Sequence, residues 1–318
     1  MRASAGRAVR RLVGLGLCAL ATMGAECPPT TPEACDPSKG TIRFQDVTVA
    51  ELGSGLPLSA RIYAPDPTAY PAHPYPAIGI LPAGLSDTDS VDWAAQRLAG
   101  AGYVAIEVKP SNGGSPDSYD LALRGVLDFL GSADNPYRAD TDIARIGIAG
   151  WSLGARSLAK TQDLDSRVKA VVAWDNLAVR ETGDGGSPTC AFTGTEYRTP
   201  RVPAMGQASD DCVPTDPEAK KTAFSWWRAN HTESMQVVFA GSTHSWFGSG
   251  WTPDKHDLIH WYTHAWFDRW LGGDTTATSR LLTRSVCGQD AATILDTDFR
   301  SGAYLDGHDC ADLQSSCS

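Results

Sequence analysis

The chain has 318 residues, 42% hydrophobic and 20% charged in type, with ten tryptophans. That is enough apolar material for one large α/β domain, and it excludes an intrinsically disordered chain. The formal net charge of −10 at neutral pH argues against nucleic acid and anionic membrane surfaces as partners.

The first segment in chain order reads as an export signal. Arg2, Arg7, Arg10 and Arg11 precede an apolar run from Leu12 to Met23, with small residues at Gly24 and Ala25. The run is too short to favour a membrane span, and no later stretch is long and apolar enough for one. Removal of residues 1–25 takes away four arginines and no acidic residue, so the charge moves from −10 to −14. A secreted or periplasmic protein is expected. Lipid anchoring at Cys18 or Cys27 is disfavoured, because Leu17 and Glu26 stand where a small residue usually precedes the modified cysteine.

Residues 26–40 are rich in Pro, Thr and Cys and read as a tether. The alternating segments "TIRFQDVTVAEL" and "LSARIYAP" predict an antiparallel edge. From Tyr75 the rhythm changes: "PAIGILPA" reads as a buried strand, "SVDWAAQRLAGAG" as a helix closing on glycine, and "YVAIEVKP" as a strand. "SYDLALRGVLDFLGS" has helical spacing and is followed by the strand "RIGIAG" and a helix from Leu153. "VKAVVAW", "RVPAMGQA" and "MQVVFAG" read as further strands, separated by the loop 175–200 and the helix "DPEAKKTAFSWWRAN". The helix "HDLIHWYTHAWFDRWLGG" completes the series. Apolar strands alternating with amphipathic helices predict one α/β domain over residues 41–275, with a mostly parallel sheet covered on both faces. Residues 276–318 form a C-terminal extension.

The chemistry centres on Gly150-Trp151-Ser152-Leu153-Gly154, between an apolar strand and a helix. That is the context of a strand-to-helix elbow presenting a nucleophilic serine. A serine hydroxyl needs an imidazole to take its proton, and the imidazole needs a carboxylate behind it. "RVPAMGQASDDCVP" supplies Asp210 and Asp211 after one strand, and "MQVVFAGSTHSWFG" supplies His244 after the next. Asp175, after the strand that follows the nucleophile helix, is a competing acid. Ser152, His244 and one of these aspartates are the expected triad; neighbouring loop residues cannot both aim at one imidazole, so Asp210 and Asp211 must divide the roles, and with Asp210 as the acid Asp211 would face solvent or cap a helix. The oxyanion donors are expected to be the backbone N–H groups of Leu153 and, from "AGLSD", Leu85.

Seven cysteines follow residue 25, none in a C-x-x-C metal pattern, and an oxidising compartment makes disulfides the default. Cys190–Cys212 is expected to tie the loop 176–200 to the acid loop, and Cys287–Cys310 to pin the C-terminal extension; Cys27–Cys35 is a third pairing. His256, His260 and His264 recur every four residues and are read as a polar helix face rather than a metal site. No metal or cofactor is expected. Trp151, Trp174 and Trp246 flank the site in sequence and are candidates for an aromatic acyl cleft, whereas Trp93, Trp261, Trp266 and Trp270 read as packing.

"TDIARIGIAGWSLGA", "LPAGLSD…WAAQRLAGAGYVAIEV", "VVAWDN", "VPAMGQASDDCVP" and "AGSTHSWF" together resemble the bacterial cutinase and poly(ethylene terephthalate) hydrolase group and related dienelactone-hydrolase-like esterases. The similarity runs from about Thr41 to Leu271. It implies the α/β-hydrolase fold and a serine carboxylester hydrolase that forms an acyl-enzyme, with polyesters or cutin-like esters within reach; a monomer is expected. It also implies Ser152, Asp210 and His244 as the triad, Asp210 standing four residues before Pro214 as the family's acid does, Trp174 as the cleft tryptophan and Leu85 as the second oxyanion residue. The chain departs from polyester-degrading members in having Leu85 in place of an aromatic residue and Leu153 in place of methionine, while Ser152 rather than cysteine separates it from true dienelactone hydrolases. A peptidase or acyltransferase on the same scaffold, or a non-catalytic binding protein, is the alternative.

Overall fold

Six consecutive strands of the sheet run parallel, and their sequences show why. β3 (Tyr75–Leu81) is buried at every position, as are β4 (Val104–Val108), β9 (Ala204–Ala208) and β10 (Ser234–Val238). Strands so apolar need helices on both faces. In the computed structural model, which describes residues 40–175, 180–181, 196–211, 213, 217–250, 253–282, 301–310 and 313, they form a ten-stranded sheet. Its order is β1-β2-β4-β3-β5-β6-β9-β10-β11-β12. The expected signal and all but the last residue of the tether lie outside the described residues, as does most of the loop 176–200.

β1 (Ile42–Ala50) and β2 (Pro57–Pro65) form the antiparallel edge expected from their alternation, with Val47 opposite Ala60. The parallel run spans β4, β3, β5 (Thr141–Trp151), β6 (Val168–Trp174), β9 and β10. A two-stranded ribbon, β7 (Arg180–Glu181) with β8 (Glu196–Tyr197), stands apart from the sheet. The helices α1 (Asp92–Gly100), α2 (Pro116–Gly131), α3 (Leu153–Leu164), α4 (Pro217–Ala229) and α5 (Pro253–Phe267) occupy the stretches read as helical. α5 continues through a π-helical turn, Asp268–Gly272, and ends on Gly273 in the left-handed conformation. Two apolar cores result. Trp174, Met205, Phe239, Tyr262 and Trp266 lie in one, and Ile106, Tyr119, Leu123, Leu158 and Trp227 in the other.

The C-terminal extension does more than rest on the surface. After the short helix α6 (Ala277–Leu281), β11 (Gly302–Leu305) pairs antiparallel with β10, and β12 (His308–Cys310) pairs with β11. Asp306 and Gly307, both with positive φ, make the two-residue turn between them. Cys310 is disulfide-bonded, while Cys190, Cys212 and Cys287 lie outside the described residues, so the two expected pairings are left as expectations. Among the described residues, no helix is long and apolar enough to cross a membrane.

Candidate active site

The strand order reverses around β3, and in such sheets the crevice past the carboxyl ends of the central strands is where ligands sit. Leu85, Ser152, Asp175, Asp210 and His244 all lie just past the carboxyl ends of strands there. Three of them, Leu85, Ser152 and Asp175, have φ near +60°, a conformation that costs energy for any residue with a Cβ.

At Ser152 the strain has a visible cause. β5 runs straight into α3 with the serine as the single residue between them, at φ 58° and ψ −114°. The reversal brings Gly150 against the first turn of α3, where a Cβ would lie 2.8 Å from the Gly154 carbonyl carbon. A Cβ on Gly154 would lie 2.6 Å from the Pro82 carbonyl oxygen. Both glycines of the pentapeptide are thus demanded by close approach. The Ser152 N–H donates to the Trp174 carbonyl at 3.0 Å, which fastens the elbow to the neighbouring strand.

His244 opens a short 3₁₀ turn, His244–Phe247. Its Nε2 lies 2.9 Å from Ser152 Oγ, and its Nδ1 bonds Asp175 Oδ2. The acid on the imidazole is therefore Asp175, not the expected Asp210. Asp175 follows β6, the strand beside the nucleophile strand, and its left-handed backbone turns the fully buried side chain toward His244. Asp210 serves another purpose. Its N–H donates to Ser242, and its Oδ2 accepts the Gly241 N–H at 3.1 Å, clipping the β9 loop to the β10 loop. Nor does Asp211 face solvent. Its Oδ2 accepts the backbone N–H of His244 at 3.0 Å and its Oδ1 accepts the Val213 N–H at 3.2 Å. Burial alone would raise its carboxyl; the His244 N–H, the Ser209 hydroxyl and the Val213 N–H outweigh that and hold it below the usual carboxylate range.

Two residues that the sequence did not single out complete the acid's surroundings. Ser209 donates its N–H to Asp175 Oδ1 at 2.8 Å, and its hydroxyl lies between Asp175 Oδ2 at 2.7 Å and Asp211 Oδ1 at 2.8 Å. Lys220, on α4, has no exposed surface and ion-pairs with Asp175 Oδ1 at 2.7 Å. A lysine inside an otherwise ordinary amphipathic helix carried no signal of this.

The oxyanion donors need a second correction. Leu153 opens α3, where a first-turn N–H has no partner within its helix. Leu85 instead donates its N–H to the Gly113 carbonyl at 2.9 Å, and its side chain is 87% exposed. The turn after β3 folds back on the loop before α2, and Tyr119 holds the two together by donating to the Ala83 carbonyl at 2.8 Å.

The tryptophans also divide. Trp151 is partly exposed, with its ring 5.5 Å from that of His244 and its Nε1 donating to the His244 carbonyl. Trp174 is fully buried, donating to Thr263 Oγ1 at 3.1 Å, and Trp246 is 8% exposed, so neither lines an open cleft as expected. The α5 histidines are not a uniformly polar face either: His256 stacks on Trp93, and His260 is buried, which pushes its imidazole well below the usual range. His264 bonds Asp268 at 3.2 Å.

A doubly covered, mostly parallel sheet with a strained serine between strand and helix and a histidine on that serine defines an α/β hydrolase. The family model described as PET hydrolase-like matches residues 23–301, and the chain belongs to that family. It is 30% identical to Lipase 1 of Moraxella sp. (strain TA144) over 200 residues, which is 63% of this chain and 56% of that protein. It is 25% identical to cutinase est2 of Thermobifida alba, covering 65% of this chain and 63% of the relative. With a cutinase of Thermobifida fusca the identity is 24%, over 65% and 60%. The chain thus spans a little over half to under two thirds of the length of these curated relatives.

Proposed function

We propose that this chain is a secreted serine carboxylester hydrolase working through an acyl-enzyme, with Ser152 as nucleophile, His244 as general base and acid, and Asp175 as the carboxylate. The observation that carries the reading is the 2.9 Å approach of His244 Nε2 to Ser152 Oγ, with Nδ1 turned to a buried carboxylate. That carboxylate favours the tautomer with the proton on Nδ1, leaving the Nε2 lone pair to accept the serine proton. Ser152 Oγ then attacks the ester carbonyl carbon, and the N–H of Leu153 donates to the oxyanion that develops. The tetrahedral intermediate collapses as Nε2 returns its proton to the departing alkoxide. A water molecule, deprotonated by the same imidazole, releases the acid product and restores Ser152.

The names of the family and of its relatives support water-insoluble esters, polyesters among them, as substrates. The exposed Leu85 and partly exposed Trp151 would offer such a substrate apolar surface beside the serine. Export rests on the arginine-led apolar segment at the N-terminus.

The test compares wild type with Ser152→Ala on short-chain p-nitrophenyl esters and on an insoluble polyester film. The wild type is expected to turn over both and to be labelled by a serine-directed phosphonate at Ser152. The alanine variant should keep the unfolding midpoint and lose about 10⁶-fold in kcat. A wild type inactive on every ester, or an alanine variant retaining most of the rate, overturns the reading.

A further inference from the structure

Lys220 is the least expected group in the site. Its side chain is wholly buried, and its ammonium has good partners on every side: Asp175 Oδ1 at 2.7 Å and the carbonyls of Val213, Asp211 and Ser209 at 2.9, 3.1 and 3.2 Å. It also bonds Ser209 Oγ. A buried ammonium is tolerated only when fully paired and hydrogen-bonded, and a hydrophobic residue of the same volume is often as stable. Packing alone does not account for a charge placed against the one carboxylate that touches the imidazole.

We propose that Lys220 is a positioning residue for the triad: a buried cation that fixes the Asp175 carboxylate against His244 and offsets its charge. The proposal rests on the reading of Ser152, His244 and Asp175 as a hydrolytic triad. Lys220 touches neither substrate nor the reacting oxygen, and acts through Asp175, Ser209 and Asp211. Together they supply two donors to the carboxylate besides His244, the ammonium and the Ser209 N–H, with the Ser209 hydroxyl shared between Asp175 and Asp211. One oxygen is thereby held on the imidazole while the other is held on the lysine.

The direction of the effect follows from charge. With the imidazole neutral, Asp175, Asp211 and Lys220 carry one net negative charge, and protonation of His244 brings this group of four to zero. Without the lysine the same protonation would take it from two negative charges to one, which is easier. The other ionisable groups near the imidazole are Asp211, whose carboxylate accepts the His244 N–H, Asp210 in the same loop, and, from α5, His256 on Trp93 and Lys255 over Trp246. Lys220 also ion-pairs with Asp211 Oδ1 at 3.8 Å, so its charge is shared between the two carboxylates on either side of Ser209.

The experiment measures kcat/KM against pH, between about pH 5 and 9, for wild type, Lys220→Met and Lys220→Arg on a soluble p-nitrophenyl ester. Lys220→Met keeps the length and removes the charge. It should move the acid limb upward by about one pH unit and lower kcat roughly tenfold with KM within twofold, while Lys220→Arg should keep the wild-type limb. A merely structural role would lower activity without moving the limb, so an unmoved limb in Lys220→Met overturns the proposal. If Lys220→Met does not fold, the wild type still decides. The ammonium ¹⁵N resonance of Lys220, assigned by its absence from Lys220→Arg, should shift with the midpoint of the acid limb, and a resonance flat across that range overturns the proposal. An inactive wild type, by contrast, would refute the hydrolase reading itself.

Discussion

Asp175 and Asp210 occupy equivalent-looking positions in the sequence, each just past an apolar strand, and only geometry separates them. Asp175 bonds the imidazole from a fully buried position, whereas Asp210 spends its carboxylate on the Gly241 N–H. The expected ranking of their amide variants follows. Asp175→Asn should lower kcat by about 10⁴-fold, because an amide there favours the wrong imidazole tautomer and cannot balance the imidazolium. Asp210→Asn should cost about tenfold or less, through a loosened β10 loop. Steady-state kinetics of the two variants checks this, and a larger loss in Asp210→Asn would return the acid to the β9 loop. The sequence offered a sign in "VVAWDN", where an aspartate follows an all-apolar strand at once. It could not show the left-handed backbone that turns this side chain toward His244, nor the lysine waiting for it.

Strands and helices were legible because the physics that makes them is local. β3 and β6 are continuous apolar runs, and α2 carries its apolar stripe behind a proline in its first turn. The serine elbow was legible too, since its two glycines and its place between strand and helix are written in the chain. What escaped was contact between distant segments: the pairing of the Leu85 N–H with Gly113, the burial of Trp174 under α5, and the packing of His256 against Trp93. The C-terminal hairpin escaped for a different reason. Asp306-Gly307 between short strands is a recognised turn signal, and it was overshadowed by the cysteines on either side. At the level of the elbow, Gly154→Ala should be severely disruptive, because the added methyl meets the backbone oxygen of Pro82 rather than a yielding side chain. A loss of about 1–3 kcal/mol is expected. Denaturant unfolding of Gly154→Ala beside Ala155→Gly, which perturbs the same turn without a clash, distinguishes this from a general weakening of the helix; equal stability of Gly154→Ala and wild type would refute the close approach.

The sheet is asymmetric at its two margins. One margin is the long antiparallel ribbon of β1 and β2, and the other is closed by β11, which pairs with the outer side of β10, and β12, which ends on a bonded cysteine. Because β10 leads to His244, this hairpin steadies the histidine from behind. Cys310→Ser is expected to lower stability by about 2–4 kcal/mol, a common value for a native disulfide. Its kcat/KM at 25 °C should change little, since no triad residue is displaced; calorimetry and ester kinetics on one preparation check both halves. Ser152 and Asp175 stand just past adjoining strands, with Trp151 opposite Trp174 and the Ser152 amide bonded to the last residue before Asp175. Separating Ser152 from Asp175 therefore requires the sheet's centre to melt, whereas His244 reaches them from the loop that follows β10. Residual ester turnover after a heat challenge is expected to fall with the unfolded fraction, and a faster fall would mark the His244 turn as the part that yields first.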